Sequence, residues 1–438
     1  MIHLPATIEE ERVLFPMEYQ KTILPNGVRV VTSRMSHVRS ATLILYFGVG
    51  ARHETDQQAG ISHFLEHMLF KGTERRPDPV EITAAIEGVG GMLNAATDRE
   101  STNYWAKVPS DALPQAFDVL ADMITNSRFD PLELEKERRV IIEEIRGIYD
   151  TPDDYIHDLI DTALWDGHPL GRPIIGSIET VQGISRDDLQ QYLTAQYRAN
   201  RLVIAAAGDI WHDQVVELAA KYFGNLPTGP EPELTPASPR PDLPQALLLS
   251  RPTEQAHLCL GLPALSYRDE RRFVQDMLDT ILSSGMSSRL FKEIRERLGL
   301  AYEVYGYFRS YADAGQSVVY AGTDVAQAPR AIEAIQRELT KLQVEPVPED
   351  ELERAKALRR GRIVMGLEDS RAVASWIGGQ ELVYGEILTP DEVIARIEAV
   401  TSEAIQALAA TLFQPEHTAL AIIGPYDDPA PFQALLAH

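Results

Sequence analysis

The order of apolar runs predicts an α+β fold: two homologous α/β sandwich domains, each a mostly antiparallel sheet packed with helices, joined by a Pro-rich linker. Three observations predict it. Strand-like runs open and close each half of the chain, with long amphipathic patterns between them. The same succession of runs recurs in both halves. Between them lies the segment 226–244, Leu-Pro-Thr-Gly-Pro-Glu-Pro-Glu-Leu-Thr-Pro-Ala-Ser-Pro-Arg-Pro-Asp-Leu-Pro. Prolines at that density exclude helix and central strand and favour an extended, semi-rigid connector. A chain of 438 residues is also too long for one core. The division expected is 1–226, a linker at 227–244, and 245–438.

In the first half, Val28-Arg-Val-Val31 and Ala41-Thr-Leu-Ile-Leu-Tyr-Phe47 read as strands. A short apolar helix follows around His63. Next, Gly90-Gly-Met-Leu-Asn-Ala-Ala-Thr-Asp-Arg-Glu-Ser-Thr-Asn-Tyr-Trp105 reads as two strands and a polar turn, and 132–146 as a helix opened by Asp130-Pro131. Arg201–Ala207 closes the half as a strand. In the second half the corresponding runs are the strands Ala246–Leu249 and His257–Leu262, a helix over Phe273–Leu282, and a closing strand at Thr418–Ile423.

The chemistry concentrates in His63-Phe-Leu-Glu-His67. Positions i and i+4 of a helix lie nearly above one another, so both imidazoles can face one metal ion. Glu66 sits one step round, placed to work on water without ligating the ion. Two imidazoles beside a carboxylate suit a hydrolytic zinc site, and the order His-x-x-Glu-His inverts the commoner zinc-hydrolase pattern. Ile61, Phe64, Leu65, Met68 and Leu69 surround the polar trio, so the helix is buried on most sides. Such a setting makes unpartnered polar groups costly.

A third ligand is expected from the helix at 132–146. Glu137 and Glu144 are seven apart and share the face that carries Val140 and Ile141, while Glu143 points to solvent. Helix geometry leaves both carboxylates open as the ligand. Sliding Gly72 onto Gly285 puts Asp276, Asp279 and Thr280 where His63, Glu66 and His67 stand. Likewise Glu351-Leu-Glu-Arg-Ala355 aligns with Glu133–Glu137, placing Ala355 and Arg362 at the positions of Glu137 and Glu144. Metal chemistry is therefore expected in the first half only.

Composition narrows the partners. A formal charge of −24 argues against nucleic acid and anionic membranes and is compatible with basic peptides. No apolar run is long enough to span a bilayer, and Met1–Arg12 carries no targeting pattern. The single cysteine, Cys259, lies in an apolar run and reads as a buried, inert thiol. The expectation is a soluble cytoplasmic protein.

Taken together, these residues resemble the pitrilysin/insulinase family of inverted-motif zinc peptidases, in its processing-peptidase-like branch. The resemblance spans nearly the whole chain. It rests on Gly60-Ile-Ser-His-Phe-Leu-Glu-His-Met-Leu-Phe-Lys-Gly-Thr73, Glu137-Arg-Arg-Val-Ile-Ile-Glu-Glu144, Gly90–Thr97 and Gly167-His-Pro-Leu-Gly171. It implies one Zn2+ per chain held by His63, His67 and Glu144, with Glu137 orienting a ligand histidine. It further implies a zinc endopeptidase acting on peptides or unfolded segments in a closed chamber. There Glu66 takes the proton of the attacking water and returns it to the leaving amine. Ser287–Tyr302 resembles the family's arginine–tyrosine signature, with Arg295 and Tyr302 as the pair donating to substrate. In that architecture the pair reaches the metal of a facing chain, so a homodimer is implied. Asn94, Ala95 and Ala96 are implied to form an edge strand to which peptide adds. The alternative within the family is a non-catalytic core or scaffold subunit, which has no reason to keep a complete metal set.

Overall fold

The computed structural model describes residues 17–165, 167–237 and 245–436. Met1–Arg12 and the end of the Pro-rich segment, 238–244, lie outside the described residues. Among the described residues, eleven strands form two mixed sheets. In the first half they are β1 (Gln20–Ile23), β2 (Arg29–Arg34), β3 (Ser40–Phe47), β4 (Met92–Thr97), β5 (Thr102–Pro109) and β6 (Leu202–Gly208). In the second they are β7 (Gln245–Ser250), β8 (Gln255–Ala264), β9 (Ala301–Ser310), β10 (Gly315–Asp324) and β11 (Ala419–Gly424).

The sheet orders are β1-β2-β6-β3-β5-β4 and β7-β11-β8-β10-β9. Apart from β1, they are the same path drawn twice. Each sheet has one parallel pair, joining the strands that open and close the half: β2 with β6 (Val30 opposite Ile204) and β7 with β11 (Leu248 opposite Ile422). All other pairs are antiparallel. The closing strands β6 and β11 are buried at every residue, as central strands covered on both faces are.

Alternation along the strands sends side chains to two faces. In β3, Leu43, Leu45 and Phe47 enter a core shared with helices Ile61–Leu69, Leu113–Thr125 and His212–Phe223. Ile44 enters the opposite layer, where it meets Val373, Ala374 and Ile377 of helix Ser370–Tyr384, an element of the second half. The exchange is reciprocal. Helix Pro152–Trp165 of the first half lays Ile156, Ile160 and Leu164 against Cys259, Ala421 and Ile423 of the second sheet. A glycine permits each approach: a Cβ on Gly378 would stand 2.5 Å from that of Ala205, and one on Gly261 would stand 2.8 Å from Leu164 Cδ1.

Polar ties accompany the exchange. Buried Arg52 bonds Glu100 at 2.6 Å and grips Asp313 of the second half through both oxygens, at 2.7 and 2.9 Å. Its guanidinium also donates to Thr235 O in the Pro-rich segment, whose described residues form neither helix nor strand.

Two sequence expectations need correction. The β9–β10 hairpin occupies a stretch assigned to helices. β10 is buried along almost its whole length, so the alternation that marks a half-exposed strand is missing. Val140 was expected on the inward face of its helix but is 49% exposed. Helix Pro131–Asp150 buries only Leu134, Glu137, Ile141 and Ile142.

Candidate metal centre

The motif helix Ile61–Leu69 is fixed at its start by a buried carboxylate. Glu54 accepts from Gly60 N (2.9 Å) and Ser62 N (2.8 Å), satisfying amide groups that have no partner within the helix. Burial pushes Glu54 up to about 7 against those two bonds. Gly60 has φ +92°, and a Cβ there would sit 2.5 Å from Ile175 O, so only glycine fits. Ile61, Phe64, Leu65, Met68 and Leu69 are buried in the first core, leaving His63, Glu66 and His67 on the half-buried face of the helix.

Helix Pro131–Asp150, packed on the motif helix, starts at Asp130, whose side chain caps Leu132 N (2.8 Å) and Glu133 N (3.3 Å). Two turns apart on it, Glu137 and Glu144 meet different atoms. Glu144 Oε2 stands 3.9 Å from His63 Nε2 and 3.8 Å from His67 Nε2. Glu137 Oε2 accepts from the other nitrogen of the second ring, His67 Nδ1, at 3.1 Å, while its Oε1 pairs with Lys71 Nζ at 2.8 Å. The geometry thus separates the two carboxylates that helix spacing left open. Burial raises Glu137, but the bonds from His67 and Lys71 outweigh it and hold the carboxyl below its ordinary value.

Do these groups fit a metal ion? His63, His67 and Glu144 each offer a donor atom, all within 4.8 Å of one another. Separations of 3.8–3.9 Å are too long for hydrogen bonds. They are a little wider than the roughly 3.4 Å between ligands of a tetrahedral ion at about 2.1 Å. Burial, with His67 beside it, lowers His63 to about 4, so the ring is neutral at pH 7 with a free lone pair. Its buried Nδ1 has no hydrogen-bond partner among the described residues. For His67, an Nδ1–H donated to Glu137 leaves Nε2 as the donor. Two imidazoles and a carboxylate so disposed fit zinc.

Glu66 stands outside this trio. Its Oε2 accepts from Thr97 Oγ1 at 2.5 Å. Burial pushes its carboxyl up, opposed by the Thr97 bond and by His67. Neither Thr97 nor Lys71 was foreseen as part of the site. The only sequence signal was their place within the motif runs ending at Thr97 and Thr73.

The other anticipated residues lie on two edge strands and a helical stretch. Asn94, Ala95 and Ala96 belong to β4, which is an edge strand. There Asn94 Oδ1 accepts from Ala95 N at 2.8 Å. Arg295 lies in the π-helical stretch Phe291–Arg297 and Tyr302 in β9, the edge strand of the second sheet. The guanidinium sits 5.1 Å from the Tyr302 ring centroid, and Tyr302 is 77% exposed. Among the described residues, neither makes a hydrogen bond, ion pair or ring contact with His63, Glu66, His67 or Glu144 within one chain.

In the second half Asp276, Asp279 and Thr280 stand at the positions of His63, Glu66 and His67, and Arg362 at that of Glu144. Asp276 pairs with Arg359 at 3.1 Å, and Asp279, raised to about 6 by burial, accepts from Ser283 Oγ at 2.7 Å. Among the described residues, the first-half trio is the one group of three such donors that converges.

The chain is similar to known proteins along most of its length. A family model described as "Insulinase (Peptidase family M16)" matches residues 29–178, and one described as "Peptidase M16 inactive domain" matches 183–359. An uncharacterized zinc protease of Streptomyces coelicolor is 39% identical over 415 residues, covering 93% of this chain and 90% of its own. Another from Bacillus subtilis is 41% identical over 406 residues, covering 91% and 97%. A solved protease from Helicobacter pylori has the same fold, with a TM-score of 0.86 at 21% identity over 93% of this chain and 99% of its own.

Proposed function

The chain belongs to the insulinase (peptidase M16) family, and we propose that it is a zinc-dependent endopeptidase acting on peptides or unfolded segments enclosed in a chamber. One observation carries the reading: His63 Nε2 and His67 Nε2 both face Glu144 Oε2, beside a carboxylate that does not belong to the trio. The names of the relatives as zinc proteases support the choice of metal.

In this reading His63, His67 and Glu144 hold one Zn2+ per chain. When bound, the ion supplies Lewis acidity toward water and the scissile carbonyl. Glu66 accepts the proton of the attacking water and delivers it to the leaving amine. Glu137, backed by Lys71, holds the His67 ring and its tautomer. An extended peptide adds to the free edge of β4 at Asn94, Ala95 and Ala96 by main-chain bonding.

Tyr302 is exposed and Arg295 half-buried beside it, and among the described residues neither contacts the trio of its own chain. We place them in the site of a second copy, as donors to a substrate carbonyl or its oxyanion, in a homodimer whose sites are completed across subunits. No helix among the described residues is long and apolar enough to cross a membrane. The one cysteine, the buried free thiol of Cys259, leaves no internal disulfide and suits a reducing cytoplasm, where we place its action.

The test is Glu66→Gln. It should retain zinc and lose cleavage of a quenched peptide; equal cleavage by variant and parent contradicts the assignment of the base.

A further inference from the structure

We propose that Thr97 is a positioning residue that fixes the working orientation of the Glu66 carboxylate and ties it to the strand on which peptide is laid. The inference rests on the reading of Glu66 as the base and extends it to a residue outside the motif helix.

The Glu66 carboxylate hangs on three rotatable bonds, and a base is effective only when held close to one geometry. Neighbours on its own helix leave this to something else: Phe64 and Leu65 turn into the core, and the flanking histidine His67 is engaged by Glu137. The group that holds Glu66 comes from the sheet. Thr97 Oγ1 donates to Glu66 Oε2 at 2.5 Å.

Thr97 is well placed for the task. Along β4 the more exposed positions are Met92, Asn94 and Ala96, and the more covered ones are Leu93, Ala95 and Thr97. Strand parity therefore turns the hydroxyl toward the motif helix. As the last residue of the strand, Thr97 pairs with Thr102, whose own hydroxyl is anchored to Val49 O at 2.9 Å. The turn beyond is closed by Asp98 N to Ser101 O at 2.8 Å. A β-branched side chain on a paired strand has few rotamers, so the hydroxyl is a rigid post.

The consequence reaches the substrate. Among the described residues, β4 pairs with β5 on one side only. A peptide added to its free side and the base held by its last residue then share one strand, so the register of the peptide is transmitted to the carboxylate through a single hydrogen bond.

Thr97→Val keeps the shape and removes the hydroxyl; Thr97→Ser restores it. For Thr97→Val, kcat on a quenched peptide should fall about 10- to 100-fold, the range expected for one hydrogen bond to a charged group. KM should stay within about twofold, because the bond acts on the reacting centre and not on uniform binding. Zinc content should match the parent, and Thr97→Ser should recover most of the loss. A Thr97→Val enzyme within twofold of the parent overturns the inference, as does a loss that Thr97→Ser fails to relieve. If the parent and all variants cleave nothing, the reading of Glu66 as base fails. Crystal structures of parent and Thr97→Val then still decide about Thr97: a reoriented Glu66 carboxylate supports its role, and an unmoved one overturns it.

Discussion

At the candidate metal centre, one residue's hydrogen bond decides which nitrogen of its neighbour is left to face Glu144. Glu137 is 6% exposed and meets His67 Nδ1, whereas the Glu144 side chain is 45% exposed and meets Nε2 of both rings. A carboxylate that holds a ligand ring is worth about 10- to 100-fold in metal affinity. Glu137→Gln should therefore weaken zinc binding by that factor in competition with a chelator. Unchanged affinity contradicts the role. His63, Glu66 and His67 were plain in the sequence because helix spacing alone brings them to one face. Glu137 and Glu144 share a helix face, and what separates them is depth in a tertiary contact that periodicity does not encode. Thr97 escaped notice for the same reason: its hydroxyl acquires meaning only from the helix lying across the sheet.

The elements around the motif helix are held by charge as well as by packing. Beyond its end, the loop at 72–78 is pinned to helix Leu113–Thr125. Arg75 donates to both oxygens of Asp118, at 2.9 and 2.7 Å, and Arg76 bonds Asp118 at 2.5 Å and Asp122 at 2.6 Å. The hydrogen bonds from Arg75, with those from Arg76 and Tyr222, hold the Asp118 carboxyl far below its ordinary value, against burial. A depressed folded-state pKa contributes stability above the unfolded value near 3.8 that is lost as pH falls through the folded one. Asp118→Asn should thus lower Tm at pH 7, and the gap from the parent should narrow as pH drops below about 4. A gap that stays constant with pH contradicts the assignment. Strands with a run of β-branched or aliphatic residues, such as β3, β6 and β8, were readable from sequence. The β9–β10 hairpin was not, since β10 shows no alternation and β9 was read as part of the Arg295–Tyr302 signature.

For the whole molecule, the repeat was visible in the sequence but the exchange of helices was not. The apolar stripes of Pro152–Trp165 and Ser370–Tyr384 show that each helix is covered, not which sheet covers it. Because each half closes the second face of the other's sheet, the chain is one interlocked body. Arg295 and Tyr302 therefore stand on a surface from which we propose they serve a second copy. Glu66→Gln and the double variant Arg295→Ala/Tyr302→Phe, co-expressed, should form mixed dimers with one intact composite site. About a quarter of parental activity should return if pairing is random. Activity equal to the mean of the two variants alone contradicts sharing of sites across subunits.

Everything turns on a single cation in the first half. Anomalous diffraction on both sides of the zinc absorption edge, from crystals of the chain supplied with zinc, should give one strong peak per chain between His63 Nε2, His67 Nε2 and the Glu144 carboxylate, and none beside Asp276 and Arg359. No peak among those three donors, in crystals that hold zinc elsewhere, would contradict the account.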